Sequence, residues 1–305
     1  MIFSPYSQKN STGSKMKYKP IHFLFLGTLF ISCQQEKEPK KKVEIKAVTI
    51  NPYKQWTTLE KGMEFIEIDA PVKSEINNSI ISILRIEPEY FEFEMHNASQ
   101  RGRKPLKAYQ WAEKYDLDVV FNAGMYDMAN GMIHRGYLKN NRHLNNRKLE
   151  PHCNSMIAFQ PKDSLNSNFD IFDLECQPWK SIKNDFNCYA QGMRMIDCNS
   201  EPLSWNKKKQ SCSMLVAAKD PQGRIYLLFT RSPYTHNQMI GFMKDMPYKL
   251  SNAIYLEGGP ETSLFIKTND ILIKRFGSYV TQTFANDDNP NFWPIPNVIG
   301  IRKKI

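Results

Sequence analysis

Residues Tyr255 to Ile266 read "YLEGGPETSLFI". An apolar run, Ala253-Ile254-Tyr255-Leu256, ends on Glu257; Gly258, Gly259 and Pro260 follow, and a second apolar run opens at Leu264. Short apolar runs bounded by Gly and Pro read as strands rather than helices. An acid at a strand end, followed by two positions without side chains, marks a place where backbone comes close to another group. Two roles fit the acid. Either it caps backbone amides around the Gly258-Gly259 turn, or it is a partly buried carboxyl with a raised pKa, suited to general acid or base chemistry.

Outward from this turn the chain is strand-rich. "MEFIEIDAP" (63–71), "SIISILRIEP" (79–88) and "FEFEMHNA" (91–98) are strand candidates, with Pro88 as a turn between the last two. Phe91, Phe93 and Met95 alternate with Glu92, Glu94 and His96, the pattern of a half-buried strand. "KPLKAYQWAEKYD" (104–116) changes to helical spacing, with Pro105 suited to a first turn. Further strands are predicted near 117–127, 154–160, 169–174, 192–197, 213–220, 224–231 and 297–303, with a turn at Pro221-Gln222-Gly223. A second helix is predicted over 237–250, and a hairpin over 263–276. The fold class read from this is α+β: a strand-rich mixed sheet core with a few flanking helices, forming one domain over residues 43–305.

The amino-terminal 33 residues read differently. "MKYKPIHFLFLGTLFIS" (16–32) has a basic start and an apolar run from Ile21 to Ile31, and Cys33 follows. The run is shorter than the roughly 20 residues that span a bilayer as a helix and suits a signal-peptide core. Phe30-Ile31-Ser32-Cys33 is similar to a lipobox, which makes Cys33 a lipidation site. Residues 34–42, "QQEKEPKKK" from 34 onward, are polar and suit a flexible tether. The predicted location is outside the cytoplasm, lipid-anchored to a bacterial membrane, in the periplasm or at the cell surface.

The formal charge is +10 over 305 residues. Four lysines and no acids fall in residues 1–32, so the remainder carries +6, which suits an anionic partner. No basic helix or aromatic-interleaved basic run of the nucleic-acid type is present, and "NKKKQ" (206–210) reads as a solvated loop. The cysteines, Cys33, Cys153, Cys176, Cys188, Cys198 and Cys212, include no CxxC, which argues against a zinc site; export permits disulfides, with the pairing open. No GxSxG, HExxH or P-loop occurs, which removes the commonest hydrolase and nucleotide-binding readings.

Four segments share one design, a strand followed at once by polar residues and glycine: "VVFNAGMYD" (119–127), "YAQGMRMID" (189–197), "LLFTRSPYTHN" (227–237) and "AIYLEGGPETSLF" (253–265). Strand ends at one sheet edge are where ligand side chains converge. Asn122 either reads a ligand hydroxyl or satisfies its own turn. Arg231, Arg194 and Arg135 each suit a phosphate clamp or a plain surface position. Asp127 is a second carboxylate near a strand end, so a paired-acid site with Glu257 is one reading. His134 and His236 are candidate bases or phosphate ligands.

In order and spacing these segments resemble the phosphodiester glycosidase family across about residues 60–303. The resemblance rests on Asn122-Ala123-Gly124-Met125-Tyr126 after a helix and strand, on Gln191-Gly192 before Arg194, on a strand ending at Arg231, and on Glu257-Gly258-Gly259-Pro260 with Thr262 and Ser263. The chain departs from the pattern in two places: Glu257 stands where the family mostly has Asp, and no proline follows Gly192. The resemblance implies hydrolysis of a sugar-1-phosphodiester bond. Glu257, Arg231 and Asp127 would be catalytic, and Asn122, Gly124, Gln191, Gly192, Arg194, Gly258, Gly259 and Thr262 would bind substrate. The sequence names no definite cofactor and leaves a metal requirement open; a divalent cation such as Ca²⁺, held by Glu257 and backbone carbonyls, is compatible. The implied partners are a carbohydrate phosphodiester and, through the anchor, a membrane, with no nucleic acid. The alternative is a non-catalytic, glycan-binding surface lipoprotein on the same fold.

Overall fold

A computed structural model describes residues 55–304, apart from residues 101, 103, 130–131, 165–166, 206–210 and 280–285. The chain divides into two units, Met1–Val43 and Glu44–Ile305, and all the described residues lie in the second. The leader with Cys33, the tether and the lysine run at 206–210 lie outside the described residues.

Alternating apolar side chains build two antiparallel sheets around one shared core. In chain order the strands are β1 (Thr57–Glu60), β2 (Met63–Asp69), β3 (Ile80–Ile86), β4 (Phe91–Asn97), β5 (Val119–Asn122), β6 (Tyr126–Asp127), β7 (Ile133–His134), β8 (Leu138–Asn140) and β9 (His143–Asn146). They continue as β10 (Ser155–Pro161), β11 (Phe169–Asp173), β12 (Phe186–Arg194), β13 (Ser211–Lys219), β14 (Ile225–Thr235), β15 (Ser251–Gly258), β16 (Ser263–Lys267), β17 (Leu272–Phe276) and β18 (Asn297–Lys303). The helices are α1 (Ala108–Tyr115), α2 (Trp179–Ile182) and α3 (His236–Asp245). The larger sheet has 11 strands in the order β1-β2-β3-β14-β13-β15-β12-β10-β11, with the β8–β9 hairpin attached to β12. The smaller has 5, ordered β17-β16-β5-β18-β4, and β6 and β7 form a separate ribbon.

Period-2 side-chain placement explains the layers. Val119, Phe121, Leu215, Leu227, Ile254 and Leu256 point into the core between the sheets. Val120, Phe265 and Val298 face the other way, onto Trp111 and Ala112 of α1. Val216, Leu228 and Ala253 face outward from the larger sheet onto Met239, Ile240 and Phe242 of α3. Central strands therefore bury both faces and read as continuous apolar runs, although every pairing among the described strands is antiparallel rather than mixed.

β4 is an edge strand, and its outward carbonyls are covered by amides. Asn140 Nδ2 donates to Met95 O at 2.7 Å, Gln160 Nε2 to Phe93 O at 2.9 Å, and Asn168 Nδ2 to Phe91 O. Three side chains thus do what a neighbouring strand would do, and they close the edge to pairing with another chain.

Several elements depart from the sequence expectation. α1 starts at Ala108, because Lys107 is its N-cap and Leu106 bridges to Ile295. α3 ends at Asp245, before Pro247, which cannot continue a helix. His96 is buried rather than exposed, because its ring stacks on Tyr115 at 3.9 Å. The predicted strand at 192–197 begins earlier, at Phe186, so Gln191 and Gly192 lie inside β12 and not past its end. Arg231 likewise lies inside β14, which continues to Thr235.

Candidate active site

The stretch from Tyr255 to Ile266 is the passage from one sheet to the other. β15 runs in the larger sheet, residues Gly259–Glu261 form a single 3₁₀ turn, and β16 enters the smaller sheet beside β5. Both glycines have local causes. A Cβ at Gly258 would stand 2.1 Å from Tyr255 Oη and 2.9 Å from Cys212 Sγ. Gly259 has φ of +72°, which side chains with a Cβ rarely adopt. The glycines therefore shape the turn, and the Gly258 amide is spent on Glu257 Oε1 at 3.1 Å.

Asn122 locks the same turn from β5. Its Nδ2 donates to Glu261 O at 3.1 Å, and its Oδ1 accepts from Ser263 N at 2.7 Å. Thr262 is fully buried, and its Oγ1 has no partner among the described residues.

Glu257 is buried at 8% exposure, and its Oε2 has no hydrogen-bond partner among the described residues. Burial pushes its carboxyl up to about 8; the Glu261 charge adds to the rise, while the Gly258 amide and the Arg135 charge oppose it. Glu261 is itself raised by burial. Tyr126 is a third member, its phenol raised by burial and by the charges of Glu257 and Glu261. On the β6–β7 ribbon Tyr126 pairs with His134, and Asp127 with Ile133. Asp127 Oδ1 accepts from Ala129 N at 3.0 Å. The carboxyl whose charge acts on Glu257 is Glu261, a residue the sequence reading does not single out.

His134 is fully buried with its ring against Gly124: a Cβ there would lie 2.5 Å from Nε2. Nδ1 lies 3.2 Å from Gly136 O, and burial lowers the pKa to about 4, so the ring is neutral.

The other predicted residues spread out. Gln191 uses its whole amide on backbone: Oε1 accepts from Tyr137 N and Glu150 N at 2.8 and 2.9 Å, and Nε2 donates to Glu150 O and Cys153 O at 3.0 and 2.6 Å. Gly192 packs on Ile254 of β15, where a Cβ would lie 2.8 Å from its Cδ1. Arg231 is committed elsewhere. It pairs with Asp287 at 2.5 Å and donates to the carbonyls of Phe276, Asp287 and Asn289. It borders a separate hollow with Glu67 and Ser82. Arg194 is held by Asp173 and Glu175 at 2.6 and 2.7 Å.

Arg135 is the contrast. It is exposed, forms no ion pair among the described residues, and lines a cleft of about 780 Å³ together with Arg194, Trp205 and His236. Its charge also acts on Glu257, a buried acid that is not itself part of the cleft lining. Behind Arg194, Asp173 Oδ2 also accepts from the amide of Cys198, at 3.2 Å, and Cys198 is disulfide-bonded to Cys176; Cys153, Cys188 and Cys212 are free and buried. Among the described residues the grouping of acidic, Cys or His donors close enough for a metal is Asp173, Cys176 and Cys198. Two of these are bonded to each other and the third to Arg194, so the group does not fit a cation. Glu257 belongs to no such group.

No curated protein matches the sequence. Among solved structures, the chain is similar to the catalytic domain of zebrafish N-acetylglucosamine-1-phosphodiester alpha-N-acetylglucosaminidase, auto-inhibited by its pro-peptide. That match has a TM-score of 0.56 and 15% identity, over 82% of this chain and 88% of that one. It is also similar to a hypothetical protein from Synechocystis, with a TM-score of 0.55 and 12% identity, over 83% of this chain and 64% of that one. At these identities the likeness establishes the fold. The sequence profile described as phosphodiester glycosidase matches residues 115–302, a span that includes Asn122, Arg135, Gln191 and Glu257. The chain belongs to the phosphodiester glycosidase family.

Proposed function

We propose that this protein hydrolyses sugar-1-phosphodiester bonds, releasing the sugar and a phosphomonoester. The observation that carries this reading is Glu257: a buried carboxyl whose Oε2 has no partner among the described residues, within electrostatic reach of Arg135, an arginine of the cleft lining that forms no ion pair among them. A carboxyl held up to about 8 is neutral at pH 7 and does not repel an anionic phosphodiester. It donates a hydrogen bond to the leaving phosphate oxygen as the anomeric C–O bond breaks. A phosphate leaving group needs little protonation, so most of the stabilisation falls to Arg135, which neutralises the charge that develops. Glu261 is the second carboxyl, placed to activate water or to stabilise an oxocarbenium-like transition state. Asn122, Gln191 and Gly192 then act as the frame that holds the turn and the cleft wall, and Arg231 anchors the 287–289 segment.

Export and a lipid anchor on Cys33 belong to the same proposal. The Cys176–Cys198 disulfide supports an oxidising compartment, where such bonds persist. The test uses the soluble part from about residue 43 with a chromogenic sugar phosphodiester. Arg135→Ala is expected to raise KM, whereas Arg231→Ala is expected to lower the melting temperature and leave KM unchanged. Absence of sugar release by the unaltered protein overturns the reading, and the reverse pattern for the two arginines overturns the site.

A further inference from the structure

The cleft has a wall that neither the acid nor the arginine uses. Trp205 stacks on His236 with ring centroids 4.1 Å apart and planes 17° from parallel. Tyr255, two residues before Glu257, meets both rings edge-on, at 5.8 Å from Trp205 and 4.7 Å from His236. The stack is pinned. Trp205 Nε1 donates to Arg194 O at 3.0 Å, Trp205 N donates to Asn237 Oδ1 at 2.9 Å, and Asn237 Nδ2 donates back to Trp205 O at 3.0 Å. His236 is the first residue of α3, whose start is fixed by the Thr235–Gln238 capping box. Burial lowers the His236 pKa to about 4, and its Nε2 has no partner among the described residues.

A half-buried indole held in one orientation on a cleft wall is a prepared contact surface. The stack is uncharged, so the phosphate gains nothing there and belongs at the Arg135 end. A flat aromatic face suits the apolar C–H face of a sugar ring. Ser204 and His152 border the same cleft and offer polar atoms to hydroxyl groups.

We propose that the Trp205–His236 stack is the sugar subsite, taking the face of a pyranose whose anomeric phosphate points toward Arg135 and Glu257. This rests on the glycosyl-phosphodiester reading and adds the orientation of the substrate within the cleft. It also makes Trp205 and His236 contact residues for the sugar rather than members of the acid pair.

The test separates sugar binding from turnover. Methyl α-N-acetylglucosaminide, which has no phosphate, is titrated against the intrinsic tryptophan fluorescence, with inorganic phosphate as the control. The glycoside is expected to change the emission saturably, inorganic phosphate is not, and Trp205→Phe is expected to abolish the change. In turnover assays Trp205→Ala is expected to raise KM about tenfold with kcat little altered, Trp205→Phe to recover most of the loss, and His236→Ala to resemble Trp205→Ala. A response to glycoside that needs Trp205, without turnover, supports the subsite while the hydrolytic reading fails. Turnover with unchanged KM in both Trp205→Ala and His236→Ala, or a Trp205 response to phosphate but not to glycoside, overturns the subsite.

Discussion

A buried carboxyl acts as an acid only over the pH range in which the fold keeps its proton on. For Glu257 the ordinary value of 4.5 rises to about 8, chiefly through burial. Between those two values the unfolded chain releases the proton and the folded chain keeps it. The contribution of this group to stability is therefore fully present below about pH 4.5, and it is lost as pH rises through about 8. Glu257→Gln removes this dependence. The variant is expected to gain melting temperature relative to the unaltered protein as pH rises from 5 to 8, and thermal unfolding across that range checks it. In kinetics, kcat/KM of the unaltered protein is expected to fall above about pH 8. Glu257→Gln is expected to lose at least about 10²-fold in turnover and to lose that alkaline limb. An alkaline limb that survives in Glu257→Gln assigns it to another group.

Elements whose register is fixed by apolar side chains were legible in the sequence; those fixed by polar ones were not. The alternation in β2 and β4 and the continuous runs of β13 and β16 locate them within about two residues, whereas β14 runs four residues past its expected end, to Thr235. Residues 128–149 carry no such period, so β7, β8 and β9 were missed, and with them the setting of Arg135 and His134. Arg231 looked the better clamp because it follows a strong strand. What commits it is Asp287, distant in sequence and recognisable only once the fold brings it near. Asn122 was an open choice between ligand and turn, and its two bonds to residues 261 and 263 put it on the turn. The amides on β4 were equally invisible, since Asn140, Gln160 and Asn168 come from three separate segments. Gln160→Leu keeps the bulk but leaves Phe93 O unpaired. It is expected to cost about 1–3 kcal/mol of stability while leaving KM unchanged, measured by urea unfolding and initial rates. A loss below about 0.5 kcal/mol, the level typical of an ordinary surface change, means that water satisfies this carbonyl as well as the amide does.

The charge of the molecule is unevenly placed along the chain, and one basic segment begins at the cleft. From Met128 to Leu149 there is no acid, while Arg135, Lys139, Arg142, Arg147 and Lys148 supply five cations. None of these forms an ion pair among the described residues, whereas Arg85, Arg194, Arg224, Arg231 and Arg275 are each paired. The segment leaves the cleft at Arg135 and returns to it at His152 and Asn154. At about 3.3 Å per residue, Arg142 at the hairpin tip stands about 20 Å along the chain from Arg135. Cations on the segment that starts at a cleft raise the local concentration of an anionic substrate, and salt removes the effect once the screening length falls below that distance. The expected outcome is a fall in kcat/KM of up to about tenfold between about 20 mM and about 300 mM salt, with kcat nearly constant. Arg142 and Arg147 lie outside the acid cluster and the cleft lining, so the Arg142→Glu, Arg147→Glu double variant is expected to flatten the salt dependence and to keep the alkaline limb of Glu257 in place. Initial rates measured across the salt series at fixed pH distinguish the two. An equally steep salt dependence in the double variant returns the electrostatics to Arg135 alone and makes the basic ribbon a solvated face.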